Sequence, residues 1–200
     1  MKELTVGVLA FHGDVSEHVV ATRDAAMRLK CNVHIISVRT KEDLNALDAV
    51  IIPGGESTTL QKLCEREGMF EPMKKIKNIF GTCAGAILLA KEISHKTKDQ
   101  KSLALMDIHV DRNAYGRQNE SFERVIQTNF GSMNAVFIRA PKIQKIGKGL
   151  TVLATNGKDV VACEERKRGK YYLATCFHPE YTSDTFHQYF LKQVLLNVSR

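Results

Sequence analysis

The stretch Gly81-Thr82-Cys83-Ala84-Gly85 sets a thiol between two glycines, each two positions away. It joins an apolar strand-like run to an apolar helix-like run. This is the nucleophile-elbow pattern, with cysteine standing where serine is commoner. A sharp strand-to-helix turn forces the nucleophile into strained backbone angles, and small flanking residues let neighbouring backbone pass. At the start of a helix, unpaired N–H groups and the helix dipole favour a thiolate at Cys83. The N–H of Ala84 then points to where an oxyanion would form. An inert buried cysteine is the plainer alternative, and the glycine spacing argues against it.

A thiol nucleophile needs a base, and the base an orienting acid. Phe177-His178-Pro179-Glu180, after the last apolar run, supplies both. An extended backbone would put the His178 and Glu180 side chains on one side, and Pro179 pushes His178 toward that geometry. Pro53-Gly54-Gly55-Glu56-Ser57-Thr58 is a third candidate, a glycine pair between a strand and a helix. Backbone N–H groups there would face the carboxyl edge of a parallel sheet, where open α/β proteins bind ligands. The phosphate-loop pattern is absent, so Gly55 is read as a second oxyanion donor, with a plain tight turn as the alternative. His12, His18, His34, His95, His109 and His187 fall in no metal-site pattern and are expected to be structural or surface residues. Neither a metal nor a cofactor is expected.

These residues must be positioned by the elements between them. Leu4–Ala10, Val33–Val38, Ala49–Ile52 and Asn78–Phe80 read as strands. Val15–Lys30 reads as a helix with Val15, Val19, Ala26 and Leu29 near one face. Thr40 is expected to cap a short helix ending near Leu47, with Asp43 closing the capping box. Ser57-Thr58 should cap a helix to about Glu67, followed by helices around Met69–Lys77 and Ala84–Ile93. Such alternation implies an α/β fold with a mostly parallel central sheet flanked by helices. Beyond Lys101 the pattern shifts to shorter segments, expected to add antiparallel strands: Leu105–Val110, Phe122–Thr128, Ala135–Ile138, Thr151–Ala154, Val160–Cys163 and Tyr171–Phe177. Asp184–Val198 reads as a final amphipathic helix. Ser94–Ser102 is expected to be a mobile surface loop, and residues 1–200 form one domain without repeats.

Composition narrows the function classes. The 29 Lys and Arg residues outnumber 22 Asp and Glu, but they are scattered, with no recognition-helix or stacking motif. A solvated basic surface is the reading, with an electrostatically steered acidic partner as the alternative, and nucleic acid is not an expected partner. The first apolar run is too short for a signal peptide or membrane span. The five cysteines are odd in number and show no CxxC spacing, which argues against disulfides or a zinc knuckle and for a reducing, cytoplasmic setting.

Together, PGGEST, GTCAG and FHPE resemble the class I (triad) glutamine amidotransferases, whose fold is flavodoxin-like. Arg112-Asn113-Ala114-Tyr115-Gly116-Arg117-Gln118 and Phe137-Ile138-Arg139-Ala140-Pro141 narrow the resemblance to the glutaminase subunits of pyridoxal 5′-phosphate synthase. The similarity runs through essentially the whole chain in the same order. It implies that Cys83 is the nucleophile, His178 the general base and acid, and Glu180 the group that orients the imidazole. It implies a binding site for L-glutamine lined by Gly54, Gly55, Glu56, Arg112, Ile138 and Arg139. It also implies that the partner is a barrel-shaped synthase subunit, which takes up the ammonia. In this resemblance the isolated glutaminase is nearly inactive, its oxyanion loop being completed on docking. One departure is visible: Lys77-Asn78-Ile79-Phe80 lacks a proline that relatives often carry before the elbow. Two rivals share part of the pattern. A glutaminase serving the histidine-pathway cyclase would have the elbow and HPE without the NAYGRQ and FIRAP segments. An elbow-cysteine stress protein of the deglycase and intracellular-peptidase superfamily generally carries a histidine beside the elbow, where this chain has Ala84.

Overall fold

The computed structural model describes residues 3–114 and 121–199. Strand β1 (Leu4–Leu9), helix α1 (Val15–Leu29), β2 (Val33–Val38) and β3 (Ala49–Ile52) come first, then α2 (Ser57–Arg66), α3 (Phe70–Lys75), β4 (Asn78–Thr82) and α4 (Ala84–Leu89). The second half holds β5 (Ala90–Ser94), β6 (Met106–Asp111), β7 (Ser121–Thr128), β8 (Gly131–Ile138), β9 (Lys142–Ile146), β10 (Leu150–Asn156), β11 (Asp159–Lys167), β12 (Lys170–Thr175) and α5 (Thr185–Val198).

Among the described residues, nine strands form one sheet in the order β2-β1-β3-β4-β12-β11-β10-β7-β8. The segment from β2 to β12 is parallel throughout, and the remaining pairings are antiparallel. The parallel part has the flavodoxin-like order, which reverses direction between β1 and β3. A smaller sheet, β5-β6-β9, lies beside it. The fold is therefore α/β with added antiparallel strands in the second half, as the alternation implied. Strands β3 and β4 are buried at every position, which fits continuous apolar runs covered on both faces. Among the described residues, no helix is long and apolar enough to cross a membrane.

Three local expectations change. Helix α4 ends at Leu89 rather than near Ile93, because Ala90 turns extended (ψ 143°) and starts β5 against β6. The carbonyls of Leu88 and Leu89 accept from the N–H groups of Leu103 and Leu105 at 2.7 and 2.9 Å, which satisfies the end of the helix. The loop after β5 is not loose throughout, since Gln100 is buried and its amide donates to Ser57 Oγ at 3.0 Å. Near residue 40, only a single 3₁₀ turn forms, Glu42–Leu44. Thr40 does not cap it, yet Asp43 Oδ2 accepts from the N–H groups of Arg39 and Thr40, each at 2.9 Å. Half of the capping box is present, the half supplied by the acid.

The buried stripe of α1 also differs. It runs through His18, Ala21, Thr22, Ala25 and Ala26, with Val15, Val19 and Leu29 only partly covered. Polar His18 and Thr22 tolerate burial because both are hydrogen-bonded, Thr22 to the His18 carbonyl at 2.6 Å. In the segment before the elbow, Asn78 is fully buried. Its amide donates to the Asp48 carbonyl at 2.7 Å, and its carbonyl accepts from Asn197 at 2.8 Å. That residue ties the start of β4 to the end of α5.

The elbow glycines are required by space. A Cβ on Gly85 would lie 2.1 Å from the Ile52 carbonyl oxygen, and one on Gly81 2.5 Å from the Gly85 carbonyl carbon. Backbone held in a buried strand, β3, and a buried helix, α4, cannot yield cheaply. Gly85→Ala is expected to destabilise the fold by roughly 1–3 kcal/mol, the usual cost of overpacking. A urea melt checks this, and an unchanged midpoint would show that the elbow relaxes freely.

Candidate active site

Cys83 sits between β4 and α4 with φ 48°, a left-handed backbone. Its N–H donates to the Thr175 carbonyl of β12 at 2.8 Å. Its thiol reaches the Ile138 carbonyl at the end of β8, 3.7 Å away. The elbow is thus bonded to β12 on one side and to β8 on the other.

His178 follows β12 and is buried. Its N–H donates to the Val136 carbonyl at 2.9 Å, which bridges it to β8. The packed rings of Phe122, Phe137 and Phe177 hold that hairpin against the end of β12, with centroids 4.8 and 5.7 Å apart. Contrary to the expectation from sequence, the backbone beyond His178 is not extended but enters a 3₁₀ turn, Pro179–Tyr181. The turn brings Glu180 Oε1 to 2.7 Å from His178 Nδ1. Asp14 Oδ2, from the residue before α1, lies 3.0 Å from the same nitrogen. His178 Nε2 is buried with no hydrogen-bond acceptor in contact.

Electrostatics follow from these contacts. Burial works to lower the pKa of His178, but the carboxylate of Asp14, the nearby Cys83 sulfur and the carboxylate of Glu180 outweigh it and hold the imidazole far above its usual value. The two carboxylates shift in opposite directions. Asp14 is lowered chiefly by its hydrogen bond to His178, whereas burial raises Glu180. Asp14 is the better solvated, with its side chain 20 % exposed against 0 % for Glu180. Behind this cluster, His18 Nδ1 meets His187 Nε2 at 2.9 Å and His18 Nε2 meets Thr82 Oγ1 at 3.0 Å. Burial lowers both imidazoles, His187 to about 3, so both are neutral. Burial also pushes the thiols of Cys64 and Cys163 up to about 12 and Cys176 higher still, which keeps them protonated and inert.

The glycine loop packs against this imidazole. A Cβ on Gly54 would fall 2.4 Å from His178 Cε1, and one on Gly55 2.3 Å from His12 Nδ1. Gly55 also has φ 120°, which side chains rarely adopt. Beside the loop is a second cluster. Glu56, not Ser57 or Thr58, caps α2, accepting from the N–H groups of Thr58 and Thr59. Arg112 donates to Glu56 Oε1 at 3.1 Å and to Gln100 Oε1 at 2.7 Å. Arg139 directly follows the Ile138 carbonyl that meets the thiol and takes a left-handed φ of 44°. Tyr115, Gly116, Arg117 and Gln118 lie outside the described residues.

Known proteins resemble this chain along nearly its whole length. The profile of the SNO glutamine amidotransferase family matches residues 8–196. The chain belongs to that family. It is 44 % identical to the pyridoxal 5′-phosphate synthase subunit PdxT of Thermococcus onnurineus, over 96 % of this chain and 100 % of that one. Identity is also 44 % to the subunit of the same name from Oenococcus oeni, over 94 % of this chain and 95 % of that one. A solved structure described as a glutamine amidotransferase matches with a TM-score of 0.80 at 43 % identity, covering 94 % of this chain and 98 % of that one. A structure described as a GMP synthase component, from Thermoplasma acidophilum, shares the fold at a TM-score of 0.61 and 14 % identity, covering 100 % of this chain and 96 % of its own.

In this family member, the expected residues fall into two groups. Cys83, His178, Glu180, Gly54, Gly55 and Ile138 converge at the ends of β3, β4, β8 and β12. Glu56 and Arg112 pair with each other beside them. Sequence reasoning missed Asp14, since neither spacing nor motif ties the end of β1 to the end of β12; His18, expected to be structural or on the surface, is a buried, hydrogen-bonded residue behind the site. The one signal for Asp14 was its place just before a helix, and that would have suggested a cap.

For Glu56, burial works against ionisation, but bonds from Thr58 and Thr59 outweigh it and bring the pKa to about 2. A pKa lowered on folding gives stability that is present above about 4.5 and lost as pH falls toward about 2. Glu56→Gln should therefore be less stable than the parent at pH 6, with the gap closing by pH 2. Chemical denaturation across that range checks it; a pH-independent gap would contradict the assignment.

Proposed function

We propose that this glutamine amidotransferase hydrolyses L-glutamine to L-glutamate and ammonia with a triad of Cys83, His178 and Glu180. The ammonia would pass to a barrel-shaped synthase subunit that makes pyridoxal 5′-phosphate, the two chains forming a hetero-oligomer in the cytoplasm. The names of the relatives, all subunits of that synthase, support the partner. The single observation that carries the mechanism is the disposition of His178. Its Nδ1 is engaged by a carboxylate at 2.7 Å, which leaves a buried Nε2 for the thiol at the elbow.

The chemistry proceeds in two halves. His178 Nε2 holds the proton of Cys83, and the thiolate attacks the side-chain amide carbon of glutamine. Negative charge moves to the carbonyl oxygen, which the N–H groups of Gly55 and Ala84 stabilise. Ala84 is the first residue of α4, so its N–H has no partner within the helix. Removing one such donor typically costs ~2.7–4 kcal/mol. His178 gives its proton to the nitrogen, the C–N bond breaks, and ammonia leaves behind a glutamyl thioester. The neutral imidazole then takes a proton from water, and the hydroxide equivalent attacks the thioester. Glutamate departs and the thiolate–imidazolium pair is restored.

Gly54, Gly55, Glu56, Arg112, Ile138 and Arg139 line the substrate site in this reading. Arginine suits the α-carboxylate of glutamine because its planar fork matches a carboxylate. Arg112 is pre-oriented by Gln100 and Glu56, so it would bind without ordering a free side chain.

Cys83→Ala is expected to abolish glutamate release while leaving the circular dichroism spectrum and binding to the synthase subunit intact. Undiminished hydrolysis would overturn the mechanism. Glutamate release by the wild-type chain is also expected to rise sharply when purified synthase subunit is added. Equal rates with and without it would contradict a glutaminase completed by its partner.

A further inference from the structure

We propose that Asp14 is a positioning residue for the triad, a second carboxylate that shares His178 Nδ1 with Glu180 and holds the imidazole in its reactive orientation. The geometry carries this. Asp14 Oδ2 and Glu180 Oε1 approach the same ring nitrogen at 3.0 and 2.7 Å, from opposite ends of the chain. Asp14 also occupies the N-cap position of α1, where an aspartate ordinarily accepts from the second or third helical N–H. No such bond exists here. The carboxylate is turned away from its own helix and engages His178 and the Tyr181 hydroxyl instead. A cap forgone for a long-range contact marks a residue placed for another purpose.

A ring nitrogen with one hydrogen meets two acceptors. Both carboxylates favour a proton on Nδ1, which fixes the tautomer and turns Nε2 to Cys83. Both also favour the imidazolium over the neutral ring. Asp14 and Glu180 differ in kind: Glu180 is enclosed, whereas Asp14 keeps partial contact with water. The directions of their pKa shifts agree, with Asp14 lowered by His178 and Glu180 raised by burial. Asp14 is thus the more dependable negative charge near neutral pH. The other ionisable groups facing this cluster are Cys83 from the elbow, Tyr181 from the 3₁₀ turn and His18 from α1. His18 Nε2 lies 3.4 Å from Glu180 Oε1, and His187 of α5 stands behind it. With both of those histidines neutral, His178 is the cation the two carboxylates share. Three ligand-type atoms of Asp14, His178 and Glu180 lie within 4.8 Å of one another. The two contacts to the ring nitrogen, 2.7 and 3.0 Å, are of hydrogen-bond length.

The inference rests on the triad reading above, and its test separates the two. kcat and KM for glutamine are measured across pH with the full chain and its synthase subunit. The variants are Asp14→Asn, Asp14→Ser, Asp14→Glu and, as a charge control on the same helix, Asp24→Asn. Nitrogen NMR of the His178 ring in the full chain reads its pKa directly. Removing the Asp14 charge lowers that pKa, so the imidazolium is lost earlier as pH rises. In Asp14→Asn the alkaline limb of kcat/KM and the ring titration should both move down by about one to three pH units. The loss should fall on kcat, with KM changed less than about twofold. Asp14→Ser, which restores a capping side chain to α1, should show the same shift even if Asp14→Asn folds poorly. Asp14→Glu should recover part of it. An unmoved limb and ring titration in either neutral variant would overturn the proposal, as would an equal shift in Asp24→Asn. If His178→Ala or Cys83→Ala still hydrolyses glutamine, the triad reading itself fails. If those variants are dead and the neutral Asp14 variants keep the wild-type profile, only the role of Asp14 falls.

Discussion

The backbone at Cys83 stands at φ 48°, a conformation that costs a residue with a side chain roughly 1–3 kcal/mol and persists only where its surroundings over-determine it. Much of the central architecture serves that requirement. β4 lies between β3 and β12 in the parallel part of the sheet, and every residue of β4 and α4 is buried. The Cys83 N–H is fixed to β12 and its carbonyl to Ile87 of α4. Neither half of the turn can relax without pulling a strand or a helix out of the core. The strain is the means by which a thiol leaves the plane of the sheet and faces the loops at its carboxyl edge.

The glycines around the site have the same cause. Gly54 clears the His178 ring, Gly55 clears His12, and a Cβ on Gly13 would fall 2.2 Å from the Gly54 carbonyl oxygen. Three loops, following β1, β3 and β12, are packed so closely that side chains on their glycines would separate them. A glycine pair after a strand could be read from sequence as a source of backbone donors. Its second purpose, admitting an imidazole to van der Waals contact, depends on which strand lies next to which and is invisible locally. The flavodoxin-like reversal between β1 and β3 opens the crevice at this point, so the site's location follows from strand order.

What the sequence revealed and what it hid divide along the same line. β3 has the bounds that its apolar run predicted, Ala49–Ile52, because burial on both faces leaves little doubt about composition; β2, an edge strand with His34 and Ser37 exposed, also has the predicted bounds, Val33–Val38, from its β-branched residues. The elbow, the HPE segment and the glycine loop were readable because each needs particular residues at short spacing. The end of α4 was hidden, since an apolar run buried all round has no periodicity to distinguish helix from strand. Strand β9 was hidden for the opposite reason: Lys142-Ile143-Gln144-Lys145-Ile146 is an edge strand with only Ile143 well covered, and its lysines resemble any basic surface. The cap of α2 was assigned to Ser57 and Thr58 because those types cap most often. Glu56, one residue earlier, reaches the same N–H groups with its longer side chain.

Helix α1 and the turn before it connect these levels, because they supply one of the two carboxylates at His178, Asp14, and a contact to the other, from His18 to Glu180. In the proposed mechanism a strongly held proton would make His178 a good base toward thiol and water but a weaker acid toward departing ammonia, and an effective catalyst needs both. Burial opposes the carboxylates by penalising the charged ring. The balance between these opposing influences, rather than either alone, sets how readily the proton moves. Neutral His18 and His187 favour the same balance from behind, since a charged imidazole there would compete with His178 for Glu180. Their neutrality is enforced by the core that encloses them. The packing that sustains the strained elbow therefore also regulates the charge on the base beside it.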